Sequence, residues 1–233
     1  YLRVTHTHDH EICIMNMPKF KLAALCSATL LLAACGYFSK DDLDVTYTED
    51  FTLTLPTIDS AKLCPSGQDC SGQSVTADMD RELTPIELDV EVDIIEKTGR
   101  SELADYTGKF KSINISKIEY SIKDNTLTVD LPQTDVYLAP AGVKSSDDAS
   151  AILMATIPET PAKTTVDSKL ATLNVESEAQ LSDLIQSLQV SAIAQAQPVV
   201  KTGQPFPPSG KATLSMTIYV TFVANPADAL IQN

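Results

Sequence analysis

Residues 212–222 read Ala-Thr-Leu-Ser-Met-Thr-Ile-Tyr-Val-Thr-Phe and form the cleanest alternation of apolar and polar side chains in the chain. A period of two places every apolar side chain on one face of a strand and every polar one on the other. Residues 86–94 have the same period, with aliphatic side chains alternating with glutamate and aspartate. Strands with one apolar face are typical of antiparallel sheets, because central strands of a doubly wound parallel sheet are apolar on both faces.

Weaker alternation predicts further strands at residues 45–55, 113–122, 151–157 and 190–196, the first of them with a bulge at Glu49.

Turn residues and prolines predict how two of these segments connect. Residues 118–122 and 127–131 alternate on either side of Asp124 and Asn125, which indicates a hairpin. Residues 136–138 lie between two prolines, and proline cannot donate to a strand ladder. We therefore expect residues 136–138 to form an edge strand.

One helix is predicted over about residues 177–188. Ser177 and Gln180 have the spacing of a capping box. Helical spacing i, i+3, i+4 and i+7 is found for Leu181, Leu184, Ile185 and Leu188. The fold class that follows is mainly β, an antiparallel β-sandwich or curved sheet with this one short flanking α-helix.

The composition limits which kinds of molecule the protein is expected to bind. The chain has 233 residues and a formal net charge of −14, with no basic stripe. Binding a phosphate backbone requires a basic face, so nucleic acid is not an expected partner. The same charge disfavours electrostatic docking onto anionic lipid, and any membrane attachment must come from apolar groups.

The beginning of the chain has the order of parts found in a secretory signal. Residues 1–14 precede the first methionines, Met15 and Met17, and are interpreted as a non-native upstream segment. Two lysines then precede the apolar run 22–32, which is too short to span a bilayer, since a spanning helix needs about 20 residues. Residues 15–34 are therefore expected to be a signal peptide.

The end of this signal, Leu32-Ala33-Ala34-Cys35 followed by Gly36, resembles the lipobox of bacterial lipoproteins. The resemblance implies that cleavage falls before Cys35 and that this residue carries acyl chains that anchor the protein in a membrane. Because Gly36 is not aspartate, it also implies the outer membrane of the cell envelope. It covers only the leader and does not identify the family of the mature domain.

Histidines and acidic residues give no catalytic or metal site in the mature protein. The three histidines, His6, His8 and His10, all precede Met15, so the mature chain has no imidazole for a nucleophile triad or a zinc site. The acidic residues of 87–93 are read as a solvated strand face, because neighbours on one face lie too far apart for four of them to share one calcium ion. No cofactor and no enzymatic activity are expected.

Cys64 and Cys70 enclose a short loop that contains proline and glycine. In an oxidising compartment this pair is expected to form a structural disulfide. A redox-active pair and half of a metal site are the alternatives, but the spacing is not Cys-x-x-Cys and a second ligand pair is missing.

The expected organisation is thus a signal peptide, a lipidated tether at residues 35–43 and a single β-rich domain at residues 44–233. The protein is expected to be an envelope lipoprotein whose domain is structural or binds an envelope protein. The alternative is a carrier of lipid or another hydrophobic ligand in a β-lined cavity, because a filled core and a lined cavity require the same alternation.

Overall fold

The computed structural model describes residues 44–64 and 72–229. Three α-helices are present in this part of the chain: α1 Ile94–Thr98, α2 Glu178–Ile185 and α3 Pro226–Ala229. The strands are β1 Val45–Thr54, β2 Ile58–Asp59, β3 Val75–Thr76, β4 Arg81–Glu82, β5 Ile86–Asp93, β6 Phe110–Lys123, β7 Thr134–Pro140, β8 Ile152–Ile157, β9 Val166–Leu170, β10 Thr172–Leu173, β11 Gln189–Ala196, β12 Val199–Val200, β13 Pro205–Phe206 and β14 Lys211–Ala224.

Two antiparallel sheets form the body of the domain. The first sheet has the order β1-β14-β6-β9, with β2 also paired to β14, and the second has the order β10-β8-β7-β11-β5. Two small ladders, β12 with β4 and β13 with β3, tie the connection after β11 to the segment before β5. The mainly β, antiparallel sandwich predicted from the sequence is confirmed.

The alternation of β14 explains the core. Its six apolar side chains at even-numbered positions from Ala212 to Phe222 are all buried, and the intervening side chains are partly exposed. On the outer face, hydroxyls pair across strands, with Thr52 Oγ1 lying 2.9 Å from Thr217 Oγ1. Burial of one face of each sheet against the other supplies the main driving force for this fold.

The sandwich is closed differently at its two sides. On one side the chain passes from β9 in the first sheet to β10 in the second, and Ala171 between them donates its N–H to Ile118 O. On the other side α1 packs against β1, and Arg100 Nε donates to Glu49 Oε1 at 2.8 Å. Strands that change sheets are a known way to turn such a corner.

A long loop, residues 141–151, lies over the outer face of the second sheet. Gly142 donates its N–H to Ser191 Oγ at 3.1 Å, and Ser146 Oγ donates to Glu87 Oε1 at 2.7 Å. This cover explains why Ser191 is buried although it points away from the core.

The predicted helix is present as α2, and its apolar stripe is buried as expected. Leu181 and Ile185 face the core, and the Gln186 side chain both accepts from Phe110 N and donates to Phe110 O. The capping box was wrong. Ser177 makes no capping hydrogen bond; its hydroxyl instead accepts from Asn174 Nδ2 at 2.9 Å, because a 3-10 turn precedes the helix.

The predicted hairpin through Asp124 and Asn125 was wrong. Both sides of β6 are already occupied, by β14 and β9. The chain after Asp124 therefore pairs elsewhere, with Thr126 and Thr128 donating their N–H groups to Lys211 O and Ser209 O.

The predicted edge strand at residues 136–138 was also wrong, because β7 lies between β8 and β11. Pro140 is its last residue, so the missing N–H falls at the end of the ladder rather than inside it.

The bulge expected at Glu49 is absent, since β1 pairs with β14 without a shift of register. Bulges occur instead between β14 and β6. The strand expected to continue to Ile94 ends at Asp93, whose side chain caps α1 by accepting from Glu96 N at 3.0 Å.

Candidate functional site

The predicted site residues fall largely outside the described part of the chain. Cys35, expected to be lipidated, and Cys70 both lie outside it. Cys64 is described and is disulfide-bonded. Its carbonyl oxygen accepts a hydrogen bond from Thr84 Oγ1 at 2.7 Å, which ties this residue to the segment before β5. The pairing of Cys64 with Cys70 stays a prediction.

A thiol count on the mature protein tests that pairing. If Cys35 is lipidated and every residue before it is removed, we expect no free thiol before reduction and two after it, which map to Cys64 and Cys70 by alkylation and peptide mass. A second cysteine other than Cys70 in the oxidised peptide would contradict the predicted bridge.

The entry of the chain into the domain is held in place by polar contacts. Asp44 precedes β1 and forms an ion pair of 2.9 Å with Lys111 Nζ on β6. Asn225, which is fully buried, donates from Nδ2 to Asp44 Oδ1 at 3.2 Å. These contacts place the beginning of the domain beside the end of β14.

The space between the two sheets is almost completely filled. Side chains of both sheets and of α2 leave a cavity of about 10 Å³ between the sheets, and a partly open pocket of about 40 Å³ lies beside α2. The cavity of about 10 Å³ accommodates about one water molecule, and both volumes are far below the roughly 300–1,000 Å³ of sites for small organic ligands. The residues that line this smaller cavity are Phe51, Leu53, Val92, Ile94, Ile115, Leu138, Ile185, Val190, Ile218 and Val220.

The acidic residues of β5 do not converge. Glu87 and Glu91 are exposed, and Asp93 is used as the cap of α1. Burial raises the pKa of Glu87, but hydrogen bonds from Ser146 and Ser145 outweigh it and hold this pKa below its usual value of 4.5. In residues 44–64 and 72–229, histidine, cysteine, aspartate and glutamate form no group of three that could hold a metal ion.

An ion-pair network joins three loops at one end of the sandwich. Lys201 Nζ lies 2.8 Å from Asp130 Oδ2 and 2.5 Å from Glu159 Oε1. Hydrogen bonds to these two carboxylates raise the pKa of Lys201. Burial raises the pKa of Asp130, but hydrogen bonds from Lys201 and from Ala162 N outweigh it, and the net pKa lies below 3.8.

This network makes a pH-dependent contribution to stability. A carboxyl whose folded-state pKa is lowered stabilises the fold above its unfolded pKa, and the contribution is lost as pH falls through the folded pKa. We expect Asp130→Asn to cost about 1 kcal/mol at pH 7, with the difference from wild type shrinking below about pH 4. Urea unfolding at a series of pH values measures this. Asp167→Asn, an exposed change on β9, is the control, and a difference independent of pH would contradict the assignment.

An open cleft of about 420 Å³ has a mixed polar and apolar lining. It lies where β7 begins and β11 ends, and its lining residues are Pro85, Pro132, Gln133, Asp135, Gln195, Ala196 and Gln197. We call it the glutamine cleft. Gln197 is held by a hydrogen bond from Nε2 to Leu83 O at 2.8 Å.

Gln195 and Asp135, which line the glutamine cleft, belong to a row of polar side chains that crosses four strands. Glu87 on β5 pairs with Gln195 on β11, Gln195 pairs with Asp135 on β7, and Asp135 pairs with Thr156 on β8. Directly paired residues share a face, so all four side chains stand on the outer face of the second sheet. Thr156 Oγ1 donates to Asp135 Oδ1 at 2.8 Å.

Two amides line the glutamine cleft, that of the exposed Gln133 and that of the half-buried Gln195. Within the described part of the chain, the Gln133 and Gln195 side chains have no hydrogen-bond partner, and the Asp135 Oδ2 atom has none either. Sequence reasoning missed this cleft, because residues from β5, β7 and β11 meet only through the strand register. A glutamine at position 195, within residues 190–196 that are otherwise small or apolar, was the one local signal.

No family model matches the chain, and no curated protein matches it. Among solved structures, the BFDV capsid protein has 12% identity and a TM-score of 0.35, with coverage of 76% of this chain and 98% of the other. The Desmodium yellow mottle tymovirus structure has 10% identity and a TM-score of 0.30, with coverage of 93% and 96%. The turnip yellow mosaic virus structure has 11% identity and a TM-score of 0.30, with coverage of 92% and 89%. These scores are too low to carry an argument.

None of the helices in residues 44–64 and 72–229 is long and apolar enough to cross a membrane.

Proposed function

We propose that the chain is an envelope lipoprotein, anchored in a membrane through acyl chains on Cys35, whose β-sandwich is structural or binds an envelope protein. The observation that carries the anchor is the lipobox-like Leu32-Ala33-Ala34-Cys35 after a basic and apolar leader. Two or more acyl chains anchor a protein stably where one is marginal.

A short tether would join the acylated Cys35 to the domain, because strand β1 begins at Val45, ten residues after Cys35. The hydrogen bond from Asn225 and the ion pair with Lys111 hold Asp44, the last residue before this strand.

The filled interior supports a structural or protein-binding domain over a lipid carrier. A fatty acid inside the sandwich would need far more than the cavity of about 10 Å³ between the sheets. Opening such a cavity would require separating β14 from β11 across the core, at the cost of the packing that stabilises the fold. The accessible surface is therefore where a partner would bind.

Replacing Cys35 by alanine is expected to abolish membrane association, because the acyl chains would have no attachment site. Phase separation in a detergent solution measures this. Wild-type protein should enter the detergent phase and the Cys35→Ala variant should stay in the aqueous phase.

Cys26→Ala is the matched control, since this cysteine lies within the apolar run of the leader. It should leave partitioning unchanged. Equal partitioning of wild type and Cys35→Ala would remove the anchor from the account.

A further inference from the structure

The glutamine cleft presents hydrogen-bond acceptors and negative charge together. Its one charged lining side chain is the carboxylate of Asp135, whose Oδ2 atom is unpaired in the described part of the chain. The side-chain oxygens of Gln133 and Gln195 add two further acceptors. Neither lysine nor arginine lines the cleft.

The surroundings of the cleft are acidic as well. Glu87 stands beside Gln195 in the cross-strand row, and its carboxylate is bound by Ser145 and Ser146 of the covering loop. Tyr137, next but one to Asp135 on β7, has a pKa raised by burial and then by the charges of Asp135 and Asp147. The full chain carries a net charge of −14, which favours the approach of a cation over a long range.

The size of the cleft suits a side chain together with a short length of its backbone. Its volume of about 420 Å³ lies within the usual range for binding sites, and its open form admits a segment that belongs to a larger molecule. Pro85 and Pro132 add rigid apolar surface to its lining.

We infer that the glutamine cleft binds an arginine side chain presented by an extended segment of a partner protein. A guanidinium group is planar and carries five N–H donors, which can reach acceptors on several side chains at once. Asp135 supplies the opposite charge, and the amide oxygens of Gln133 and Gln195 accept the remaining donors. This inference rests on the proposed protein-binding role and specifies the chemistry of the partner.

The cleft lies far from the entry of the chain into the domain at Asp44. At the start of β11, Gln189 pairs with Asp93, next to α1 and the first half of β1. Gln195 lies six residues further along β11, about 20 Å away. The cleft therefore lies towards the end of the sandwich opposite the entry at Asp44.

Binding of a labelled nonapeptide tests the inference, with the full-length protein purified in a non-ionic detergent. The peptide has a central arginine flanked by glycine and serine, and a second peptide has citrulline in its place, which keeps the shape and removes the charge. Fluorescence anisotropy should show that the arginine peptide binds at least about tenfold more tightly than the citrulline peptide.

Two variants assign this binding to the cleft. Asp135→Asn retains an acceptor for Thr156 and should weaken arginine-peptide binding about tenfold or more, and Gln195→Ala should weaken it without any change of charge. Asp167→Asn on β9 removes the same charge from the other sheet and should leave binding unchanged.

Equal binding of the arginine and citrulline peptides would overturn the inference, and so would an equal loss in Asp135→Asn and Asp167→Asn. Tighter binding of a neutral oligosaccharide than of the arginine peptide would also overturn it. The peptide experiment does not depend on the acyl chains, so its failure is distinct from a failure to find lipid on Cys35, which would refute the proposed anchor.

Discussion

Replacing Phe222 by alanine is expected to lower the free energy of unfolding by about 3–5 kcal/mol. Phe222 is fully buried on β14, and its ring centroid lies 5.2 Å from that of Phe110 on β6. The rings of Tyr106 and Tyr47 continue this cluster, with centroid distances of 6.0 Å and 6.1 Å. Removing the ring would leave a cavity that neighbouring strands can fill only partly, since both are fixed by their ladders.

Urea unfolding of the Phe222→Ala variant measures this loss. We expect the slope of the unfolding free energy against urea concentration to equal that of wild type. Val75→Ala is the control, because this side chain is exposed and should change stability by less than about 0.5 kcal/mol. A loss below about 1 kcal/mol in the Phe222 variant would show that the aromatic cluster is not part of a packed core.

Gly210→Ala is expected to destabilise the protein by about 2 kcal/mol or more beyond Gly203→Ala. Both glycines have positive φ, +99° at Gly210 and +89° at Gly203, so both substitutions carry the strain of the left-handed region. A Cβ at Gly203 would meet open space, whereas one at Gly210 would overlap the Thr126 carbonyl and lie 2.8 Å from Leu127 N. Backbone atoms cannot move aside as a flexible side chain can.

The two glycine variants form a matched pair, and their urea midpoints give the difference directly. We expect most of the stability lost in Gly210→Ala to come from displacing Thr126 and Thr128, whose N–H groups donate to Lys211 O and Ser209 O. Equal destabilisation by both substitutions would mean that the Gly210 backbone does not lie against the Thr126 carbonyl in solution.

The sequence predicted those elements whose pattern is set by their own burial. Strand β14 and helix α2 each bury one face against a neighbouring layer, so period alone identifies them. The features that the sequence missed depend on residues far apart in the chain. Asn125 is a residue type that favours turns, and the sequence therefore predicted a hairpin there. Its side-chain amide instead donates to Thr164 O, and the expected hairpin is not formed.

Proline positions alone also did not predict where a strand lies in its sheet. Pro140 indicated an edge, although β7 is central, because a proline at the last position of a strand removes no bond from the interior of the ladder. The glutamine cleft could not be predicted, since Glu87, Asp135 and Gln195 are brought together only by the order of strands in the second sheet.

Mass spectrometry of the tryptic peptide Cys35–Lys40 tests whether Cys35 is the lipidated first residue of the mature protein, as we propose. We expect, in protein isolated with membranes, a peptide that begins at Cys35 and carries the added mass of a diacylglyceryl group, with or without a further acyl chain on its amino group. An unmodified Cys35, or a peptide that still contains residues 22–34, would contradict the proposal.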